Sequence, residues 1–268
     1  MNNSAFNSLN AVQRNFIDGV VRTTRHDGRF SGVLLAGSAL NDSLDDYSDL
    51  DFILVCRGET VNGTFAARMD IARSLGDFVS GFTGEHVGEP RLLICLYASP
   101  ALHVDLKFVT LDALDQRVET PRIAWADDDV RHRLEQGKAS WPVRPPEWFE
   151  ERIWIWVHYG LAKVGRGELF EAIGMLNFLR EQVLGPLVSL QYKRDQRGVR
   201  RIELYHPAFA ESLRSTLCSH ERGSVLKAYR NTVDIYLSLR NALFPHGANR
   251  KGEELASEYM SSLEAAGT

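Results

Sequence analysis

Two short stretches decide the fold of this chain: LLAGS, residues Leu34–Ser38, and, after ten further residues, DLDFILV, residues Asp49–Val55. The first is the apolar end of a strand followed by a small turn at a helix start. The second is too apolar beyond its opening residues to be a loop, so we expect another strand. Side chains on a strand alternate between its faces, which places Asp49 and Asp51 on one face and Phe52 on the other, toward a core.

The turn and the two carboxylates have the chemistry of a site for a metal-bound anion. Carboxylate oxygens suit magnesium, which takes one or two protein carboxylates and fills its other positions with water and phosphate oxygens. Gly37 lets a ligand approach the backbone, and Ser38 can cap a helix or offer its hydroxyl to a phosphate. Ser48, directly before Asp49, is a further candidate contact. Each feature alone is more often an ordinary turn, but their combination favours function.

A third carboxylate stands on the strand predicted for residues Ala101–Val109, where polar and apolar residues alternate. His103, Asp105 and Lys107 share the polar face of that strand. An aspartate on an exposed strand face is by itself more often a solubilising residue. His103 and Lys107 are interpreted as solvated neighbours that could touch a phosphate.

The segment 37–55, a Gly-Ser followed after a spacer by Asp-x-Asp, resembles the signature of the DNA polymerase β-like nucleotidyltransferase superfamily, in which a third carboxylate stands on a later strand. The length and the helical second half resemble the antibiotic nucleotidyltransferases, in particular the lincosamide and streptomycin adenylyltransferases. Gly165–Ala172 is similar to a segment of the lincosamide enzymes. The resemblance implies that Asp49, Asp51 and Asp105 are catalytic and hold magnesium, with Asp105 as a third metal ligand or as the general base.

The same resemblance implies an activity. A nucleoside monophosphate passes from a nucleoside triphosphate to a hydroxyl of a small, antibiotic-like acceptor, with release of pyrophosphate. The triphosphate is ATP, which donates AMP, or another nucleoside triphosphate. Two magnesium ions about 3.5–4 Å apart could be held by the three acids. Two alternatives stay open: transfer to RNA or protein, as in toxin-like relatives, and a nucleotide-binding module without catalysis. Some antibiotic nucleotidyltransferases complete their pocket across a dimer, so a homodimer is within the prediction.

Composition narrows the class of protein. With 268 residues, 44% apolar and 25% charged, the chain has the balance of a soluble globular protein. A net charge of −4 argues against a broad nucleic-acid footprint, because phosphate backbones are bound through concentrated lysine and arginine. Three widely spaced cysteines, no apolar run of membrane-spanning length and no basic leader at the N-terminus predict a cytoplasmic protein with no membrane contact.

The order of elements predicts an α/β (α+β) fold, in which a small mixed-sheet nucleotidyltransferase domain, residues 1–143, precedes a helical bundle domain, residues 144–268. The boundary is placed at the Pro-rich break around Pro145 and Pro146. In the first domain we expect helices at 8–25 and 65–82 and a hairpin of strands 92–97 and 102–109. In the second we expect helices at about 146–164, 168–191, 206–219, 223–244 and 250–264.

The second half adds weaker candidates. Lys193 and Arg194 lie in the densest basic cluster, Tyr192–Arg201, and could clamp the β- and γ-phosphates, although a solvated basic loop is the ordinary interpretation. In the first helix of this half, the spacing predicts that Trp156 faces the core while Trp154, Glu150, Glu151 and His158 face outward or into a cleft. The acidic runs Asp127–Asp129 and Glu150–Glu151 could meet acceptor amines, but such runs are more often helix-start or surface acids.

Overall fold

The structure is a computed structural model that describes residues 9–41 and 43–266. The chain divides into two compact units, Met1–Ser140 and Trp141–Thr268. The described part of the first unit holds a six-stranded sheet with helices, whereas the described part of the second forms helices and no strand. The predicted fold class, a small mixed-sheet α/β (α+β) domain followed by an all-helical one, is confirmed.

The first unit contains one mixed sheet with the strand order β3-β4-β5-β2-β1-β6. Strands β2 and β5 are parallel, and the other neighbouring strands are antiparallel. Its elements are α1 (Ala11–His26), β1 (Phe30–Leu35), β2 (Leu50–Cys56), α2 (Val61–Ala66), α3 (Arg68–Ser74), β3 (Phe78–Gly84), β4 (Glu89–Tyr97), β5 (Leu102–Thr110), β6 (Arg122–Ala126) and α4 (Asp128–Gln136), with 3-10 turns at Gly37–Asn41, Gly58–Thr60, Glu85–Val87 and Leu111–Gln116.

The main core lies on one face of the sheet. Leu50, Phe52 and Leu54 of β2 and the facing residues of β5 pack there against α1, whose start is a capping box between Asn10 and Gln13. Each large side chain buried in this way contributes about 1.5–3 kcal/mol relative to exposure. The alternation along β2 therefore sends every second side chain to the opposite face.

On the opposite face of the sheet, β2 and β5 are apolar only near their carboxyl ends. Val55 and Val109, near the carboxyl ends of these strands, pack with Val130 and Leu134 of α4 in a second cluster. Four residues earlier on each strand the same row carries Asp51 and Asp105. This face of the sheet is therefore covered by α4 near the carboxyl ends of β2 and β5 and carries the two carboxylates near their amino ends.

The predicted helix 65–82 is wrong in its second half. Helices α2 and α3 account for Val61–Ser74, but Phe78–Gly84 forms the edge strand β3, which pairs with β4. Gly81 lies against the carbonyl of Ile94, so a side chain there would crowd the neighbouring strand. The β-branched and aromatic residues of this segment suit a strand, and pairing with β4 overrides the helical spacing.

Two further differences concern the edge of the sheet and the turn. Strand β6 was not expected; it pairs antiparallel with β1, with Gly32 opposite Ala126. The Gly-Ser turn opens a five-residue 3-10 helix, Gly37–Asn41, rather than an α-helix. The predicted hairpin of β4 and β5 is confirmed.

The second unit is built from α5 (Pro146–Gly165), α6 (Leu169–Leu179), a π turn (Arg180–Leu184), α7 (Gly185–Gln191), α8 (Ile202–Tyr205), α9 (Pro207–Arg214), α10 (Arg222–Leu243) and α11 (Arg250–Ala265). The helices expected at 146–164, 223–244 and 250–264 are confirmed. The one expected at 168–191 runs through α6, the π turn and α7. That expected at 206–219 is shorter and ends at Arg214, because Ser215 and Thr216 turn their hydroxyls to the carbonyls of the last turn.

The predicted outward positions on α5 are wrong for Trp154 and Glu150. Both are buried, and Trp156 is only half-buried, where it packs on Phe178 and Trp148. Helix α5 contacts α6, α10 and α11, so more than one of its faces is covered. His158 and Glu151 are exposed as expected.

None of the helices in residues 9–41 and 43–266 combines the length and the hydropathy of a membrane-spanning segment. The three cysteines are free thiols; Cys56 and Cys95 are buried and Cys218 is half-buried.

Candidate active site

Asp51 and Asp105 are direct neighbours on the two parallel strands at the centre of the sheet. The register of β2 and β5 pairs these two residues with each other. Adjacent strands lie about 4.8 Å apart, and paired residues point to the same face. Both residues are half-buried, on the face opposite the main core. The structure therefore brings together two of the three predicted acids.

The Gly37 turn lies on the same side as the carboxylates. Gly37 has φ +59°, and a Cβ at this position would overlap Oδ2 of Asp51. The Ala36 N–H donates a hydrogen bond of 3.0 Å to the carbonyl of Asp51, which ties the turn to β2. Only glycine combines this left-handed conformation with the close approach of the carboxylate.

The two predicted serine contacts have structural partners of their own. Ser38 is buried, and its carbonyl accepts hydrogen bonds of 3.2 Å from the N–H and from the hydroxyl of Ser43. The Ser48 hydroxyl donates to Oδ1 of Asp45 at 2.8 Å and accepts from the Asp45 N–H at 3.0 Å. Ser48 thus closes the turn that leads Asp49 toward β2, and its predicted contact with a nucleotide stays a prediction.

The surroundings of Asp105 raise the pKa of its carboxyl. Burial raises the pKa of this carboxyl, the hydrogen-bonded His103 opposes that shift, and the negative charge of Asp49 adds to it. The Nε2 atom of His103 lies 3.0 Å from Oδ1 of Asp105. Asp49 is therefore close enough to act on Asp105 electrostatically, and Asp105 has the raised basicity that a proton acceptor needs.

The donor atoms suit magnesium, although the three acids are not gathered into one chelating group. Among the described residues, no group of three or more His, Cys, Asp and Glu side chains is placed to hold a metal ion. The Asp51 carboxylate lies on Gly37, and the Asp105 carboxylate lies on His103. Two adjacent hard-oxygen donors nevertheless match what magnesium takes from a protein when a phosphate supplies other ligands. Ligation by Asp49, Asp51 and Asp105 together stays a prediction.

Lys107 belongs to an ion-pair cluster beside these acids. Its Nζ lies 2.8 Å from Oε2 of Glu89, which also binds Arg91 at 2.7 Å. The hydrogen bonds from Arg91, and then Lys107, hold the pKa of Glu89 at about 2. Lys107 is thus a paired neighbour of Asp105.

Arg122 contacts the turn of the candidate site, although no local sequence pattern indicates it. This residue opens β6, pairs in register with Leu35, and donates from Nη1 to the Ala39 carbonyl at 3.0 Å. It therefore braces the 3-10 turn from the neighbouring strand. Nothing in the local spacing indicates this contact, because it depends on β6 joining the sheet.

Lys193 and Arg194 lie on an exposed segment of the second unit. Lys193 has φ +55°, and the Arg194 guanidinium stacks over the Tyr205 ring at 3.9 Å. Arg201 first, and then Arg194, lower the pKa of the Tyr205 hydroxyl. The predicted phosphate contacts of Lys193 and Arg194 stay predictions.

Comparisons with known proteins find similarity in solved structures only. No protein-family model matches the chain. No curated protein matches it either. The solved structure of an aminoglycoside 6-adenyltransferase from Bacillus subtilis is 14% identical with a TM-score of 0.39, covering 93% of this chain and 97% of that one. A nucleotidyltransferase-like protein from Exiguobacterium sibiricum is 13% identical with a TM-score of 0.38, covering 85% of this chain and 76% of that one.

Proposed function

We propose that this chain is a magnesium-dependent nucleotidyltransferase that moves a nucleoside monophosphate, AMP from ATP, onto a hydroxyl of a small, antibiotic-like acceptor. The observation that carries the proposal is the pairing of Asp51 with Asp105 on the face where the Gly37 turn meets the Asp51 carboxylate. It joins an acidic site to a turn that a phosphate can approach.

Asp105 is proposed to take the proton of the acceptor hydroxyl. The acceptor oxygen then forms a bond to the α-phosphorus, and the bond from that phosphorus to the bridging oxygen breaks, releasing pyrophosphate. Burial raises the pKa of Asp105, so this carboxylate is a stronger base than an exposed one. The hydrogen bond from His103 holds one of its oxygens in place.

Asp49 and Asp51 are proposed to hold the magnesium, with Asp105 as a further ligand or as the base alone. When bound, magnesium would neutralise charge on the triphosphate oxygens. In the described arrangement Asp51 is held against Gly37 while Asp49 raises the pKa of Asp105. Positioning of the reactants and neutralisation of phosphate charge are the main contributions that such a transfer requires.

A small acceptor is favoured over a nucleic acid. The chain carries a net charge of −4, whereas nucleic-acid binding depends on concentrated positive charge. Gly37, Ser38 and Ser48 are proposed to contact the triphosphate from the turn, with Lys193 and Arg194 as proposed contacts from the second unit. A cytoplasmic location and a homodimer stay predictions.

The direct test uses ATP labelled at the α-phosphate, magnesium and a panel of hydroxyl-bearing antibiotics. We expect label on an acceptor with release of pyrophosphate, loss of both in Asp105→Asn, and retention of both in Asp70→Asn, which changes an exposed carboxylate on α3. Label in the RNA or protein of a lysate would favour the macromolecular alternative. Absence of pyrophosphate release with every acceptor, together with no calorimetric binding of magnesium-ATP, would contradict the proposal.

A further inference from the structure

The sheet face that carries Asp105 continues across two more strands. Ile94 of β4 stands directly opposite Asp105 of β5, and Phe82 of β3 stands opposite Ile94. In the adjacent row, Leu96 stands opposite His103. Since paired residues share a face, these three apolar side chains lie on the same face as the acid.

This part of the face is open to solvent. Phe82 is 56% exposed and Leu96 is 43% exposed. The alternate residues Leu93 and Cys95 of β4 are buried in the main core on the other side. A sheet face in contact with water normally carries polar residues, so an exposed row of large apolar ones points to a ligand. We call Phe82, Ile94 and Leu96 the apolar platform.

We infer that the apolar platform binds the body of the acceptor, which is therefore an uncharged molecule with a hydroxyl beside an apolar, ring-bearing surface. This inference rests on the proposed function. A hydroxyl that gives its proton to Asp105 lies about 2.6–3.2 Å from that carboxylate. Directly opposed residues have Cβ atoms about 4.5–5.5 Å apart. An acceptor held at Asp105 and extending along the row therefore lies over Ile94 and then Phe82.

The charges around the platform argue against an amine-rich acceptor. Ser80, Phe82, Ile94 and Leu96 themselves carry no charge, and the carboxylate that ends the row of Phe82 and Ile94 is Asp105, the proposed base. The nearby Lys107 is itself positive and pairs with Glu89. The His86 ring packs at a tilt of 51° against Phe82, with ring centroids 5.5 Å apart, and extends the aromatic surface.

The test measures binding and transfer separately, with 2-(2-naphthyl)ethanol as the apolar hydroxyl probe and kanamycin as the amine-rich one. Phe82→Ser and Leu96→Ser remove the exposed platform side chains. Val79→Ser is the control, because Val79 is also 56% exposed on β3 but lies at the register shift between Phe78 and Ser80, outside the paired rows of the platform. We expect each platform variant to raise both the dissociation constant and the KM for the naphthyl probe about tenfold. The kcat and the magnesium-ATP affinity should stay unchanged, and Val79→Ser should behave as wild type.

The outcomes separate this inference from the proposed function. Suppose that the chain transfers AMP. If Phe82→Ser then leaves the KM for the naphthyl probe unchanged, or if kanamycin is the preferred acceptor, the inference about the platform is overturned and the proposed function stands. If the naphthyl probe binds in a way that depends on Phe82 but the chain transfers no AMP, the proposed function is overturned. The inference that an acceptor occupies the platform is then overturned as well. A change of molar mass by light scattering in Phe82→Ser, with naphthyl binding intact, identifies a second copy of the chain as occupant and also overturns the inference.

Discussion

The carboxylate of Asp51 fills the space that a side chain at Gly37 would need. This contact joins the turn after β1 to the acidic row on β2, and it depends on the absence of a Cβ at φ +59°. The turn and the Asp51 carboxylate are therefore packed directly against each other, and a Cβ at position 37 would overlap that carboxylate.

Gly37→Ala tests this contact. A left-handed alanine costs about 1–2 kcal/mol, and its Cβ would displace the Asp51 carboxylate, so we expect lower stability and a strong loss of transfer. Urea unfolding and pyrophosphate release measure the two effects. Gly58→Ala is the control, since a Cβ there meets nothing within 4 Å. Equal activity of the two variants would show that the contact between the turn and the acid is unimportant.

Asp105→Asn should separate activity from stability. Removing a general base costs about 10²–10⁴-fold in rate. The pKa of Asp105 is raised in the folded chain, so its ionisation opposes folding; this cost is absent well below the unfolded pKa and grows as the pH rises through the folded pKa. We therefore expect the variant to be inactive yet at least as stable as wild type at pH 7, by thermal unfolding. Lower stability at pH 7 would contradict the inferred pKa shift.

The pH profile of the wild type gives a second measure of the same carboxylate. Because the base works only when ionised, the rate should fall on the acid side. The midpoint of that fall should lie above the pH expected for an exposed aspartate, since burial and the charge of Asp49 raise the pKa of Asp105. His103 opposes this shift, so His103→Ala should move the midpoint further up. A midpoint unchanged in that variant would exclude His103 as an influence on Asp105.

Arg240→Met should destabilise the helical unit. Arg240 is buried 2.7 Å from Glu253 and 3.7 Å from Glu150, so its loss leaves two carboxylates without that cation. Removing one partner of a buried pair costs about 3–5 kcal/mol, whereas an exposed pair is worth about 0–1 kcal/mol. Arg230→Met on the same helix breaks the exposed pair with Glu264 and is the control. If Arg240→Met and Arg230→Met lowered the free energy of unfolding in urea by similar amounts, the result would contradict a stabilising role of the buried network.

Gly160→Ala and Gly174→Ala should have opposite effects on stability. A Cβ at Gly160 in α5 would overlap the Tyr229 hydroxyl, which donates to the Ala172 carbonyl at 2.8 Å. Overpacking of this kind costs about 1–3 kcal/mol. A Cβ at Gly174 in α6 meets nothing within 4 Å, so alanine there should stabilise the helix by about 0.5–1 kcal/mol. Calorimetric unfolding of both variants tests the pair, and a stabilised Gly160→Ala would contradict the close packing.

Several features follow from local patterns that act over a few residues. The alternation of polar and apolar residues predicts that Asp49 and Asp51 leave the core face of β2 and that Asp105 leaves that of β5. Proline at the start of α5 and the hairpin signal before Leu102 predict those boundaries correctly. Such patterns state which face a side chain takes, but not which strand lies beside it.

Long-range pairing decided the remainder. Helical spacing over residues 65–82 gives way to β3 because the hydrogen bonds of that segment are completed by β4. Trp154 and Glu150 are buried because α5 is covered on more than one face, which no single-helix pattern contains.

The sequence by itself determined the mixed-sheet and helical halves and the shared face of the acids, because side-chain period and chain breakers are local properties. The tertiary structure alone decided that β2 and β5 are parallel neighbours, which sets Asp51 beside Asp105, and that Gly37 receives the Asp51 carboxylate. These contacts join residues far apart in the chain, and their formation depends on the packing of the whole sheet.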